Sequence, residues 1–173
     1  MAKRERSGKS ERSELVQTFV EEHRTLMRGL ATILERVEAA DFAAAQNNAD
    51  ELDQVVGPHI QFEEELLYPE VGRARGVNVE RELLEEHAAI RHAMQRLLEA
   101  DLSRVDLSAL QTELQGLFRV AVEHAESCGT LISHLRALSP SQQQAALSRL
   151  QQLRARGVRW TELAEKSNER PET

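Results

Sequence analysis

The chain has 173 residues, 40% of them hydrophobic and only 3% aromatic, with a formal net charge of -7. That length supports one domain with a sizeable core and argues against a second, and a composition rich in Leu, Ala, Glu, Gln and Arg favours an all-helical protein with an aliphatic core. Net acidity excludes a general nucleic-acid binder, and the lack of any apolar run near the roughly 18 residues of a membrane span, or of a signal peptide, predicts a cytoplasmic protein without membrane contact.

Residues 1–12 carry Lys3, Arg4, Arg6, Lys9 and Arg12 interrupted by Glu5 and Glu11, which reads as a solvated, disordered basic arm. From Ser13 to about Ala40, Leu15, Phe19, Leu26, Leu30, Ile33 and Val37 recur three and four apart, as one buried helical stripe demands. The gap in that stripe is His23. A second helix is predicted from about Phe42 to Tyr68, with Leu52, Val55, Val56, Phe62, Leu66 and Leu67 inward. His59 and Glu63 fill its stripe, Gly57 and Pro58 predict a kink or a broken turn just before His59, and Pro69 ends it. "GRARGVN" (72–78) reads as a loop. A third helix from about Val79 to Ala100 turns Leu83, Ile90, Met94 and Leu97 inward, with His87 in the same row. "DLSRVDLS" supplies turn and capping residues. The fourth helix, about Leu107 to Leu138, repeats Leu110, Leu114, Leu117, Ala121, Leu131, Leu135 and Leu138, and His124 and Cys128 continue the row. After the turn "SPSQQQ", "AALSRLQQLRARG" reads as a shorter helix ended by Gly157, and Trp160 is expected to pack a last short segment back onto the bundle. Four long amphipathic helices with short connections predict an antiparallel up-down-up-down four-helix bundle over 13–138, a C-terminal helical extension over 139–167 and a frayed tail over 168–173.

Each of the four main helices thus carries one histidine on its core face. A single imidazole in an apolar stripe is ordinarily a satisfied core residue. Four, one per helix, with a buried glutamate, are tolerable if they coordinate a cation that satisfies the lone pairs burial strips of water. The chain also repeats itself. "VEEHRTLMRGL" around His23 resembles "LEEHAAIRHAM" around His87 at an offset of 64, while His59 and His124, and Glu63 and Cys128, are offset by 65. Two such hairpins face to face would place six side chains around the bundle axis, a symmetry that fits a pair of metal ions sharing bridging ligands.

This arrangement of a histidine, then "HIQFEEELLYPE", then "EEH", then a histidine with a ligand position four residues later, resembles the hemerythrin-like family of HHE cation-binding domains, over roughly residues 13–138. The resemblance implies an up-down-up-down bundle around a non-haem di-iron centre. His23, His59, His87 and His124 would then be terminal ligands and Glu63 a bridging carboxylate. The family's second carboxylate position is Cys128 here. Glu126 lies about 200° round the helix from His124 and cannot replace it, and Glu123 is also off the face. Cys128 is left with three readings: a thiolate ligand or redox residue, which would favour zinc or ferrous iron; an unligated bystander to a site with fewer ligands that holds one metal; or a filler in a bundle without metal. As the chain's one cysteine it cannot form an internal disulfide, in keeping with a reducing compartment.

His92 and His134 fall off the stripes and read as surface residues. Glu21, Glu22, Glu64, Glu65, Glu85 and Glu86 read mostly as solvated faces, some able to orient ligand histidines. Tyr68, near the site end, reads as a core cap, with a place close to a bound ligand as the less favoured alternative. A ferritin-type oxidase is disfavoured because no histidine has a glutamate three residues before it, and a zinc peptidase because His-Glu-x-x-His is absent. The expected function is a bundle binding two iron ions, with zinc or a single metal as alternatives, that binds, senses or scavenges a small diatomic or peroxide ligand or handles iron. Whether it is an enzyme stays open. The competing class is a helical interaction or thiol-sensing module with a degenerate metal site.

Overall fold

The computed structural model describes residues 13–163. The expected basic arm, residues 164–167 of the extension and the tail 168–173 lie outside the described residues.

The helices start where local chemistry satisfies their free N–H groups. Ser13 Oγ accepts from Val16 N to open α1 (Glu14–Glu38), and Asp41 accepts from Ala44 N to open α2 (Phe42–Phe62). A five-residue π-helical turn, Glu63–Leu67, follows α2 and runs directly into α3 (Tyr68–Arg75). Gly76 alone, at φ 107, links α3 to α4 (Val77–Leu98). Such a backbone angle is open to glycine and strained for most other residues. Asp106 caps α5 (Leu107–Cys128) through Ser108 N and Ala109 N. A 3-10 turn, Gly129–Leu131, precedes α6 (Ile132–Ala137). Ser139 and Gln142 form a reciprocal capping box at the start of α7 (Pro140–Arg156), which ends at Gly157 in the left-handed conformation, φ 62. A last 3-10 turn spans Trp160–Glu162.

The result is an all-α bundle. α1 packs against α2 and α5, and α4 against α5 and α2, while α7 lies on α1 and α2. The predicted stripes fill the interior: Leu26, Leu30, Ile33, Leu52, Val56, Ile90, Met94 and Leu114 are among its buried side chains.

Several sequence expectations need correction. Pro69 does not stop the second helix: it is the second residue of α3, which continues the π turn without a break in helical backbone angles. "GRARGVN" is accordingly helix apart from Gly76. Of the two expectations at Gly57 and Pro58, the broken turn is not found, since α2 continues through both residues. The fourth helix is not continuous to Leu138, since its pattern tightens at Gly129. α7 starts at Pro140, not after "SPSQQQ". Val55 points outward, 61% exposed, and Phe118 rather than Leu117 occupies the core row of α5.

Candidate metal centre

The four predicted imidazoles are all buried. His59 on α2 and His87 on α4 are 1% exposed, and His23 on α1 and His124 on α5 are 5% exposed. Glu63 lies completely enclosed among them. His23 Nδ1 is 3.3 Å from His59 Nε2 and 3.6 Å from Glu63 Oε1, and His59 Nε2 is 3.4 Å from the same oxygen. These three donor atoms lie within 4.8 Å of one another, close enough to share one ion. On the other side, His87 Nε2 approaches Glu63 Oε2 at 3.5 Å. That separation permits charge attraction but no hydrogen bond, and among the described residues Glu63 Oε2 has no hydrogen-bond partner. A buried carboxylate oxygen left unpaired is costly, and a cation would satisfy it.

Cys128 is buried beside this carboxylate, its thiol donating to Glu63 Oε1 at 3.3 Å. The centre of the α4/α5 half is occupied by a residue the sequence reading set aside. The Tyr68 hydroxyl lies 2.6 Å from His87 Nε2, 3.3 Å from His124 Nε2 and 3.6 Å from Cys128 Sγ. The π turn explains why. Five residues after Glu63, an ordinary α-helix would have rotated Tyr68 about 140° off the glutamate's face. Here Tyr68 N donates to Glu63 O five residues back, which returns the tyrosine over the glutamate. No local signal in "EEELLYP" announces that extra residue in the turn.

Outer partners fix the rings. Nδ1 of His59 faces Glu22 at 3.4 Å, Nδ1 of His87 faces Glu64 at 3.1 Å, and Nδ1 of His124 faces Glu86 at 2.5 Å. His23 is turned the other way, its Nε2 donating to the Ala125 carbonyl at 2.7 Å. Such contacts select the tautomer that leaves the inner nitrogen free for a metal. The three consecutive glutamates thereby separate in role. Glu63 faces both halves, and Glu64, only 6% exposed, is one of the glutamates that orient a histidine, holding His87. Glu65 pairs with Arg149 of α7. His92, Glu123 and Glu126 are exposed as expected, while His134 is half-buried rather than on the surface.

The electrostatics follow from burial around one carboxylate. Burial alone would lower the His59 pKa, but Glu63, joined by Glu22, holds it up at about 9. Burial would raise Glu63, yet the charge of His59 and the close approach of the His23, His59 and His87 rings keep it well below the ordinary carboxylate value. His87 is raised, because the carboxylates of Glu63 and Glu64 beside its ring outweigh its desolvation, and His124 is lowered by burial and by the charge of His87. Burial and then Glu63 push both the Tyr68 hydroxyl and the Cys128 thiol well up. The cluster therefore draws positive charge to the inner nitrogens that face Glu63.

The donor set fits a transition-metal cation. His23, His59 and Glu63 could hold one ion, and His87, His124, Tyr68 and Cys128 line the other side of Glu63. The family model described as the hemerythrin HHE cation binding domain matches residues 14–127. No curated protein and no solved structure matches the chain.

Proposed function

Because this chain belongs to the hemerythrin family of HHE cation-binding domains, we propose that it is a non-haem iron protein with two unequal metal positions joined by Glu63, and that it binds, senses or scavenges a small diatomic or peroxide ligand. One observation carries this reading: the inner nitrogens of His23 and His59 converge on Glu63 Oε1, while Glu63 Oε2, without a hydrogen-bond partner, faces His87. Imidazole-rich iron would supply an exchangeable coordination position for the small ligand. The residues of the chain do the rest. Glu22, Glu64, Glu86 and the Ala125 carbonyl orient the rings, Glu63 supplies the negative charge, and the aliphatic walls exclude water. The proposed setting is the reducing interior of the cell, where Cys128 stays a thiol.

A thiol-sensing role draws less support, since a buried thiol with a raised pKa holds little of the reactive thiolate. The test is anaerobic loading with ferrous iron, desalting, and metal analysis with an optical spectrum in air. Retained iron with ligand-to-metal charge-transfer bands is the expected result. A colourless, iron-free protein would overturn the proposal.

A further inference from the structure

The matched family segment ends at residue 127, yet the chain beyond it returns to both halves of the histidine cluster. On the α1/α2 side, Arg154 of α7 binds Glu22 Oε1 at 2.6 Å through its guanidinium, and Glu22 holds His59 Nδ1 with its other oxygen. On the α4 side, residues 158–163 form a strap against α2 and α4. It delivers Trp160, 1% exposed, with its ring edge-on to His87 at 6.0 Å between centroids.

The strap is anchored to a degree that a mere tail would not need. Asp53, fully buried in α2, accepts from Arg159 Nε at 2.7 Å and from Thr161 N and Oγ1 at 2.8 Å each. Gln95 of α4 donates to the Thr161 carbonyl, and Arg91 to that of Leu163. The strap also presses directly on α2. A methyl group at Gly57 would sit 1.9 Å from the Val158 carbonyl oxygen, so only glycine admits this crossing. Glycine in a helix interior costs about 1 kcal/mol relative to alanine, which marks close strap contact as the reason for it. His59 and His87, on the two helices the strap covers, are the imidazoles with least exposure. The indole Nε1 has no hydrogen-bond partner among the described residues.

We propose that the C-terminal extension completes the metal centre, with Arg154 and Trp160 as positioning residues that set His59 and His87 and retain the cation. Arg154 acts through Glu22, keeping that carboxylate on the His59 ring. Trp160 acts by packing, fixing the plane of His87 and closing the gap between α2 and α4 to water. Retention and strap docking are then linked, because a cation that needs both rings in place favours the docked strap and the docked strap slows its loss.

This inference rests on the iron-binding reading, and one experiment separates the two. Wild type, Trp160→Phe, Arg159→Ala, Arg154→Gln and Arg154→Lys are loaded with ferrous iron anaerobically. Iron release to a chelator, the charge-transfer spectrum and the emission of Trp160, the chain's single tryptophan, are then followed, with circular dichroism as the check on folding. Loading should quench Trp160 in wild type. Trp160→Phe, Arg159→Ala and Arg154→Gln should each release iron about tenfold faster, the size expected for loss of an outer partner, and Arg154→Lys should restore most of the difference. Trp160→Phe should also shift the charge-transfer bands, which a residue serving only the fold would not do. Iron bound by wild type but released at one common rate by all folded variants, with Trp160 emission unmoved, overturns this inference alone. No iron bound by wild type overturns both.

Discussion

The two halves of the histidine cluster descend from the same sequence pattern and are not the same chemically. In the α1/α2 half, His23, His59 and Glu63 present two imidazoles and a carboxylate to one point. In the α4/α5 half, the position equivalent to Glu63 is Cys128, and a phenol from the first residue of α3 sits between His87, His124 and the thiol. A missing carboxylate removes a negative charge from one side, and Glu63 is left to serve both. Replacing one residue in a repeat thus changes both the hardness of a site and the load carried by its partner.

The sharpest way to break this comparison is Glu63→Ala. If Glu63 serves both positions, cation affinity should fall by more than about 100-fold, beyond the range for outer partners, whereas His124→Ala should spare the α1/α2 position. Equilibrium dialysis with metal analysis distinguishes them, and equal effects would make the halves equivalent.

The next effect is that of pH. His59 must lose its proton to bind a cation, so affinity should rise about tenfold per pH unit up to about 9, as for one displaced proton. In protein stripped of metal the sign reverses. The raised His59 pKa contributes stability that is complete below its ordinary value of 6.5 and lost as pH rises through about 9. Thermal unfolding across that window should therefore show a falling melting temperature without metal and a smaller fall with it.

Cys128→Glu would restore the symmetry of the halves. It should raise iron content and alter the charge-transfer bands, and an unchanged spectrum would place Cys128 outside the centre. Tyr68→Phe keeps the buried ring and removes the hydroxyl. It should weaken the α4/α5 position about tenfold and change folding stability by only about 1 kcal/mol, the net worth of a typical hydrogen bond. Smallest of all, Glu86→Gln should matter less than Glu64→Gln, because the Glu86 side chain is 47% exposed and that of Glu64 only 6%.

Much of this was legible in the sequence, because helical periodicity fixes which side chains share a face. His23, His59, Glu63, His87, His124 and Cys128 lie in the apolar rows, and burial follows from that alone. Tyr68 was not legible, since its direction depends on one extra residue in a turn that no side chain announces. Trp160 was expected to pack back onto the bundle. Its contact with His87 depends on Gly57, Asp53 and the crossing of the strap, which are tertiary facts. Val55 misled because a core row drifts around a long helix, leaving an apolar residue exposed. That some of the glutamates beside the histidines would orient the rings was legible, and which ones do, Glu22, Glu64 and Glu86, is visible only in the fold.

The most direct test is X-ray absorption at the iron edge of the loaded protein, which counts the imidazoles around the metal. Convergence of His23, His59 and His87 on Glu63, with His124 on the far side of Tyr68, predicts several imidazole ligands to the bound iron, and fewer when His59 is replaced by alanine. An oxygen-only shell, unchanged by His59→Ala, would contradict it, because the iron would then sit on carboxylates elsewhere.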